Sequence, residues 1–109
     1  MAYNEKLAQR IRERLHHLPA YRERKMFGGV CFLLHGNMAC GILDDSVIVR
    51  VGKEAYDSAL ALPHAREFDT TGRPMTGWVM VSPEGHHSDE QLDIWIQRGV
   101  DFAASLPPK

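Results

Sequence analysis

Residues 30–51 read VCFLLHGNMACGILDDSVIVRV, and the fold turns on this stretch. Val47, Val49 and Val51 alternate with Ile48 and Arg50. A period of two is the mark of a half-buried strand. His35-Gly36-Asn37 interrupts the apolar run, and Gly and Asn tolerate the positive φ of a tight turn. Asp44-Asp45 interrupts it again. The spacing predicts strands at Val30–Leu34, Met38–Leu43 and Ser46–Val51, joined as an antiparallel meander.

Upstream, Leu7, Ile11, Leu15 and Leu18 recur at helical spacing behind a potential cap at Asn4, and Pro19 is expected to stop that helix. Downstream of Gly52, a helix is expected over Lys53–Leu62 and a short strand over Arg66–Asp69. A last strand runs to Val81 through Trp78, starting as early as Met75. Ser88 followed by Gln91 three residues later forms a capping box, with Asp89 and Glu90 favourably placed in the first turn. Leu92, Trp95, Ile96, Gly99, Ala103 and Leu106 then make one stripe before Pro107-Pro108. The expected order is α-β-β-β-α-β-β-α. That order predicts an α+β fold in two layers, with helices covering one face of a five-stranded, mainly antiparallel sheet.

The chain has 109 residues, 44% hydrophobic and 25% charged, which suits a single globular domain over 1–109. The longest near-apolar run, Met26 to Leu34, is too short to cross a membrane. Charges at Glu5, Lys6 and Arg10 stand where a signal peptide would be apolar. A cytoplasmic location follows as the expectation. Cys31 and Cys40 are then expected as free, buried thiols.

The net charge of −1 conceals an asymmetry. Residues 1–25 carry seven bases and three acids, whereas residues 26–109 carry six bases and eleven acids. The basic segment can pair with the acidic body. Alternatively, Arg10, Arg14, Arg22, Arg24 and Lys25 could contact nucleic-acid phosphates. A whole-chain pI near 6.6 favours the first reading.

Familiar catalytic signatures are missing from the sequence. There is no GxSxG, HExxH or phosphate-binding GxxxxGK[ST]. The pairs His16-His17 and His86-His87 are poor chelates, and Cys31, His35 and Cys40 do not match a zinc spacing. Neither a cofactor nor a metal is expected. Two glycine-bearing stretches stand out instead. Met26-Phe27-Gly28-Gly29 permits close backbone approach ahead of a strand. Gly72-Arg73-Pro74-Met75-Thr76-Gly77-Trp78 joins an arginine and a tryptophan, residue types enriched where proteins meet. An anion pocket near Arg50 and Arg73 is a further alternative.

Met26-Phe27-Gly28-Gly29, Val49-Arg50-Val51-Gly52 and Gly72-Arg73-Pro74-Met75 with Gly77-Trp78 follow one another in an order that resembles the N-terminal domain of TfoX/Sxy proteins. The ending Ser105-Leu106-Pro107-Pro108-Lys109 is similar to stand-alone members. The resemblance covers Asn4 to Lys109, so one stand-alone domain is expected, without the second domain of better-known members. It implies an α+β domain with one antiparallel sheet. It further implies a bacterial regulatory role, connected with competence genes and with the cyclic-AMP receptor protein at promoters. The family has no established catalytic residues, so the resemblance implies a non-enzymatic adaptor that binds a protein partner. Phe27, Gly28, Gly29, Arg50, Arg73, Met75, Gly77 and Trp78 are the candidate structural or binding residues. A homodimer is compatible with an exposed sheet edge.

Overall fold

A computed structural model describes residues 3–26, 28–69 and 75–108. Its elements run α1 (Glu5–Leu15), β1 (Tyr21–Met26), β2 (Gly29–Leu34), β3 (Asn37–Leu43), β4 (Ser46–Arg50), α2 (Tyr56–Leu60), β5 (Ala65–Glu67), β6 (Trp78–Val81), a 3₁₀ turn (Pro83–Gly85) and α3 (Asp89–Ala104). The six strands make one open antiparallel sheet in the order β1-β2-β3-β4-β6-β5. The α+β class is as expected, but the expected five strands become six and the element order changes with them. The added strand is β1, whose residues Arg22, Glu23, Arg24 and Lys25 are all exposed. An edge strand with charged side chains resists pairing with other chains, and for the same reason it lacks an apolar alternation.

The meander forms with small shifts. In the β2–β3 turn the positive φ falls on His35 (52°) and Gly36 (82°). Two consecutive left-handed residues are what a tight two-residue hairpin requires. Asn37 is therefore not a turn residue. It begins β3, is buried, and donates from Nδ2 to the Pro107 carbonyl at 2.9 Å. Helix α2 is shorter than expected, because Lys53 to Ala55 form a turn before it. Met75 lies outside β6, and Val51 lies just beyond β4.

One core lies between the sheet and the helices. Val30, Phe32, Cys40, Ile42, Val47, Val49, Val79 and Val81 face Leu7, Ile11 and Leu15 of α1 and Leu92, Trp95 and Ile96 of α3. Strand alternation sends Cys31, Leu33 and Ile48 to the opposite face. Cys31 pairs with Gly41 while Cys40 pairs with Phe32, so the thiols sit on adjacent strands. Both are free and buried, and burial pushes both thiols up from their ordinary pKa.

The basic and acidic segments meet. Arg10 and Arg14 of α1 pair with Asp89 of α3, and Arg14 also pairs with Asp93. Arg12 pairs with Glu23 of β1 and with Glu5. Hydrogen bonds from Arg12 and from the Tyr21 hydroxyl hold the Glu23 carboxyl below its usual range. A carboxylate depressed on folding contributes stability above the usual carboxylate range and loses it as pH falls through the folded value. Glu23→Gln is expected to cost about 0.5–1 kcal/mol at neutral pH, as surface pairs do. The difference from wild type should shrink on acidification. Urea midpoints at two pH values check this, and a difference that grows in acid would refute it.

Candidate functional site

Beyond Arg50, the chain leaves the sheet through Val51 and Gly52. Both amides donate to the Gly77 carbonyl, at 2.8 and 3.1 Å. Gly52 and Gly77 have φ of 85° and 94°, a region that side chains with a Cβ rarely occupy. This paired crossing brings Trp78 directly opposite Arg50 in the β4–β6 register. A third element closes the site. Phe102, in the last turn of α3, places its ring against Gly52, where a Cβ would lie 2.5 Å from Phe102 Cε1.

The Arg50 guanidinium carbon consequently lies 5.1 Å from the Trp78 ring centroid and 5.2 Å from that of Phe102, over both ring faces. Such a cation is attracted by the negative face of each ring. Behind it, Trp78 leans on buried Phe68, with centroids 6.4 Å apart. Arg50 therefore ends an aromatic row that reaches the interior. Among the described residues, no oxygen accepts a hydrogen bond from its guanidinium and no carboxylate pairs with it. It borders a cleft of about 580 Å³ whose other lining includes Lys53, Glu54, Thr76, Trp78 and Ser105. Met75, with 41% of its surface exposed, sits next to this rim in sequence. The Trp78 amide donates to the Met75 carbonyl at 3.1 Å.

Gly52→Ala is expected to lower stability by about 1–3 kcal/mol, the usual cost of forcing a side chain into a sparsely populated backbone region. It would also displace the Phe102 ring from Arg50. Thermal unfolding and the Arg50 side-chain NMR signal check the two effects together. An unchanged Arg50 signal would refute the packing role of Gly52.

The structure thus brings together Arg50, Gly77 and Trp78, with Met75 close by in the chain. Gly28 and Gly29 stand elsewhere, Gly28 in the β1–β2 turn and Gly29 at the start of β2. Gly29 lets two strands close up, since a Cβ there would run into the Ile42 carbonyl oxygen. Ile42 pairs with Val47, toward the end of β4 opposite to Arg50. Phe27 and Arg73 lie outside the described residues. The five bases proposed for nucleic acid do not form one free patch. Arg10 and Arg14 are engaged by Asp89 and Asp93, while Arg22, Arg24 and Lys25 are exposed on β1. Among the described residues no group of three His, Cys, Asp or Glu side chains could hold a metal ion. No described helix is long and apolar enough to cross a membrane.

Phe102 and Lys53 belong to the site and were not among its sequence candidates. Phe102 stands three residues after Gly99 and seven after Trp95, at the edge of the apolar stripe of α3, and that helical spacing was its sequence signal.

An open antiparallel sheet with helices on one face, carrying an arginine–aromatic cleft at one end, makes up this small α+β domain. A family model for the TfoX N-terminal domain matches residues 13–103, and the chain belongs to that family. No curated protein matches the chain. The family is not a known enzyme family.

Proposed function

We propose that this is a non-enzymatic regulatory domain that acts by holding a protein partner at the Arg50–Trp78 cleft. Family membership supports a regulatory or competence-related role. The observation that carries the contact site is Arg50 itself, placed over two aromatic rings with no described acceptor for its donors. Arginine and tryptophan are the residue types that most often dominate binding energy at protein interfaces. Exposed Met75 adds an adaptable apolar contact beside them. The finer reading places the domain in the bacterial cytoplasm, with a transcription factor of the cyclic-AMP receptor type as the partner.

Direct nucleic-acid binding is the weaker reading, because Arg10 and Arg14 already face carboxylates of α3. Capture experiments with purified cyclic-AMP receptor protein and with host nucleic acid separate the two. Wild type is compared with Arg50→Ala/Trp78→Ala and with Arg22→Glu/Arg24→Glu/Lys25→Glu. Loss of the protein partner in the first variant alone supports the adaptor. Nucleic acid bound by wild type and lost in the second variant alone overturns it.

A further inference from the structure

We infer that the Arg50 cleft is a carboxylate-recognition site, and that its occupant is an acidic side chain presented by the partner protein. The inference rests on the reading of this cleft as the contact surface and names what is recognised there. A ring face attracts the guanidinium charge but accepts none of its in-plane N–H donors in the usual sense of a hydrogen bond. Those donors have no oxygen partner among the described residues. The Gly77 carbonyl already accepts from the Val51 and Gly52 amides, so it does not supply the missing acceptor. The two rings fix the guanidinium in place, which removes conformational freedom that binding would otherwise have to remove. A positioned guanidinium matches planar oxyanions by paired N–H···O bonds.

Charge selects among the oxyanions. The described lining of the cleft carries Arg50 and Lys53 against Glu54, one net positive charge. That balance suits a monoanion such as a carboxylate better than a phosphate group near its second ionisation, which carries about −1.5 to −2. The rest of the lining suits a side chain that arrives with its backbone. Trp78 and the adjoining Met75 offer apolar surface, and Thr76 and Ser105 offer hydroxyls.

The test follows the Arg50 Nε–Hε signal and the Trp78 indole signal by NMR at constant ionic strength. Three probes are added separately: acetate, inorganic phosphate, and an acetylated, amidated peptide with one glutamate between leucines. Both signals should shift saturably with the peptide. The peptide should bind about tenfold more tightly than acetate, as burial of one apolar side chain would give. Arg50→Lys keeps the charge but loses the planar fork. It should weaken peptide binding about tenfold or more while the remaining backbone signals stay in place. Phosphate binding as tight as the peptide's would overturn the choice of carboxylate. Equal binding of acetate and peptide would overturn the assignment to a partner's side chain. No saturable shift, or full binding by Arg50→Lys, would overturn the site. Loss of partner capture by Trp78→Ala alongside a silent carboxylate titration would leave the contact surface standing and remove only this inference.

Discussion

Phe32→Ala is expected to lower the unfolding free energy by about 3–5 kcal/mol, the range for deleting a fully buried aromatic side chain. Phe32 has no exposed surface and lies in β2, between β1 and β3. Its ring stacks on Tyr21 at 6.4 Å with planes 24° apart, so the core and the charged edge strand meet at this residue. Alanine would remove the buried area and leave a cavity that strands on both sides cannot collapse to fill. It would also free the Tyr21 ring, loosening β1 at its first residue. Urea unfolding followed by fluorescence and by circular dichroism checks both effects. A loss below about 1.5 kcal/mol would mean that Phe32 is not the centre of the core. A variant whose β1 amides keep full protection from hydrogen exchange would mean that β1 is held by its surface pairs instead.

Gly99→Ala should be destabilising by about 1–3 kcal/mol, although helix propensity alone predicts a gain of about 1 kcal/mol from replacing an interior glycine. The sign decides the argument. Gly99 is buried where α3 crosses the sheet, and a Cβ there would collide with the Ala39 carbonyl oxygen. The obstruction is backbone on the central strand β3, which cannot rotate away as a side chain can. The helix would have to lift from β3 and β4, taking Trp95, Ile96 and Ala103 out of register with their neighbours. A lowered thermal midpoint with a shifted Ala39 backbone signal and an unchanged Gly29 signal would locate the effect where α3 meets β3. A stabilised Gly99→Ala would show that the helix has room to spare on the sheet, and that the close approach has no energetic weight.

Some of this architecture was legible in the sequence because a single physical signal dominated. The meander was readable since β2, β3 and β4 are apolar and separated by short turns. Helix α3 was readable from Ser88 and Gln91, whose reciprocal hydrogen bonds form as the capping box requires. Strand β1 was not readable, because it reads YRERKM and its stability comes from elsewhere. It is supported by pairing to β2, by the Arg12–Glu23 bridge and by the Tyr21–Phe32 stack, all of them contacts across the chain. The start of α2 was misread because Lys53 to Ala55 have helical composition but occupy a turn.

The site divides in the same way. Arg50, Gly77 and Trp78 were visible as a motif, while their convergence depends on the Val51–Gly77 crossing, which sequence spacing does not announce. Phe102 lies about fifty residues from Arg50 along the chain and joins it only because Gly52 leaves space for the ring. Gly28 and Gly29 share the motif set but not the site. Gly28 serves the β1–β2 turn and Gly29 the close packing of β2 on β3, at the other end of the sheet.

The most direct test of the partner surface is site-specific photocrosslinking in the living host. The photoreactive residue p-benzoylphenylalanine replaces either Met75, beside the cleft, or Ile94 on α3. These are the two large hydrophobic residues most exposed among those described, at 41% and 54%, so exposure alone does not favour the cleft. The account predicts one discrete protein adduct from Met75, lost when Arg50→Ala is added, and none from Ile94. An adduct from Ile94 with none from Met75 would contradict it and move the partner to α3.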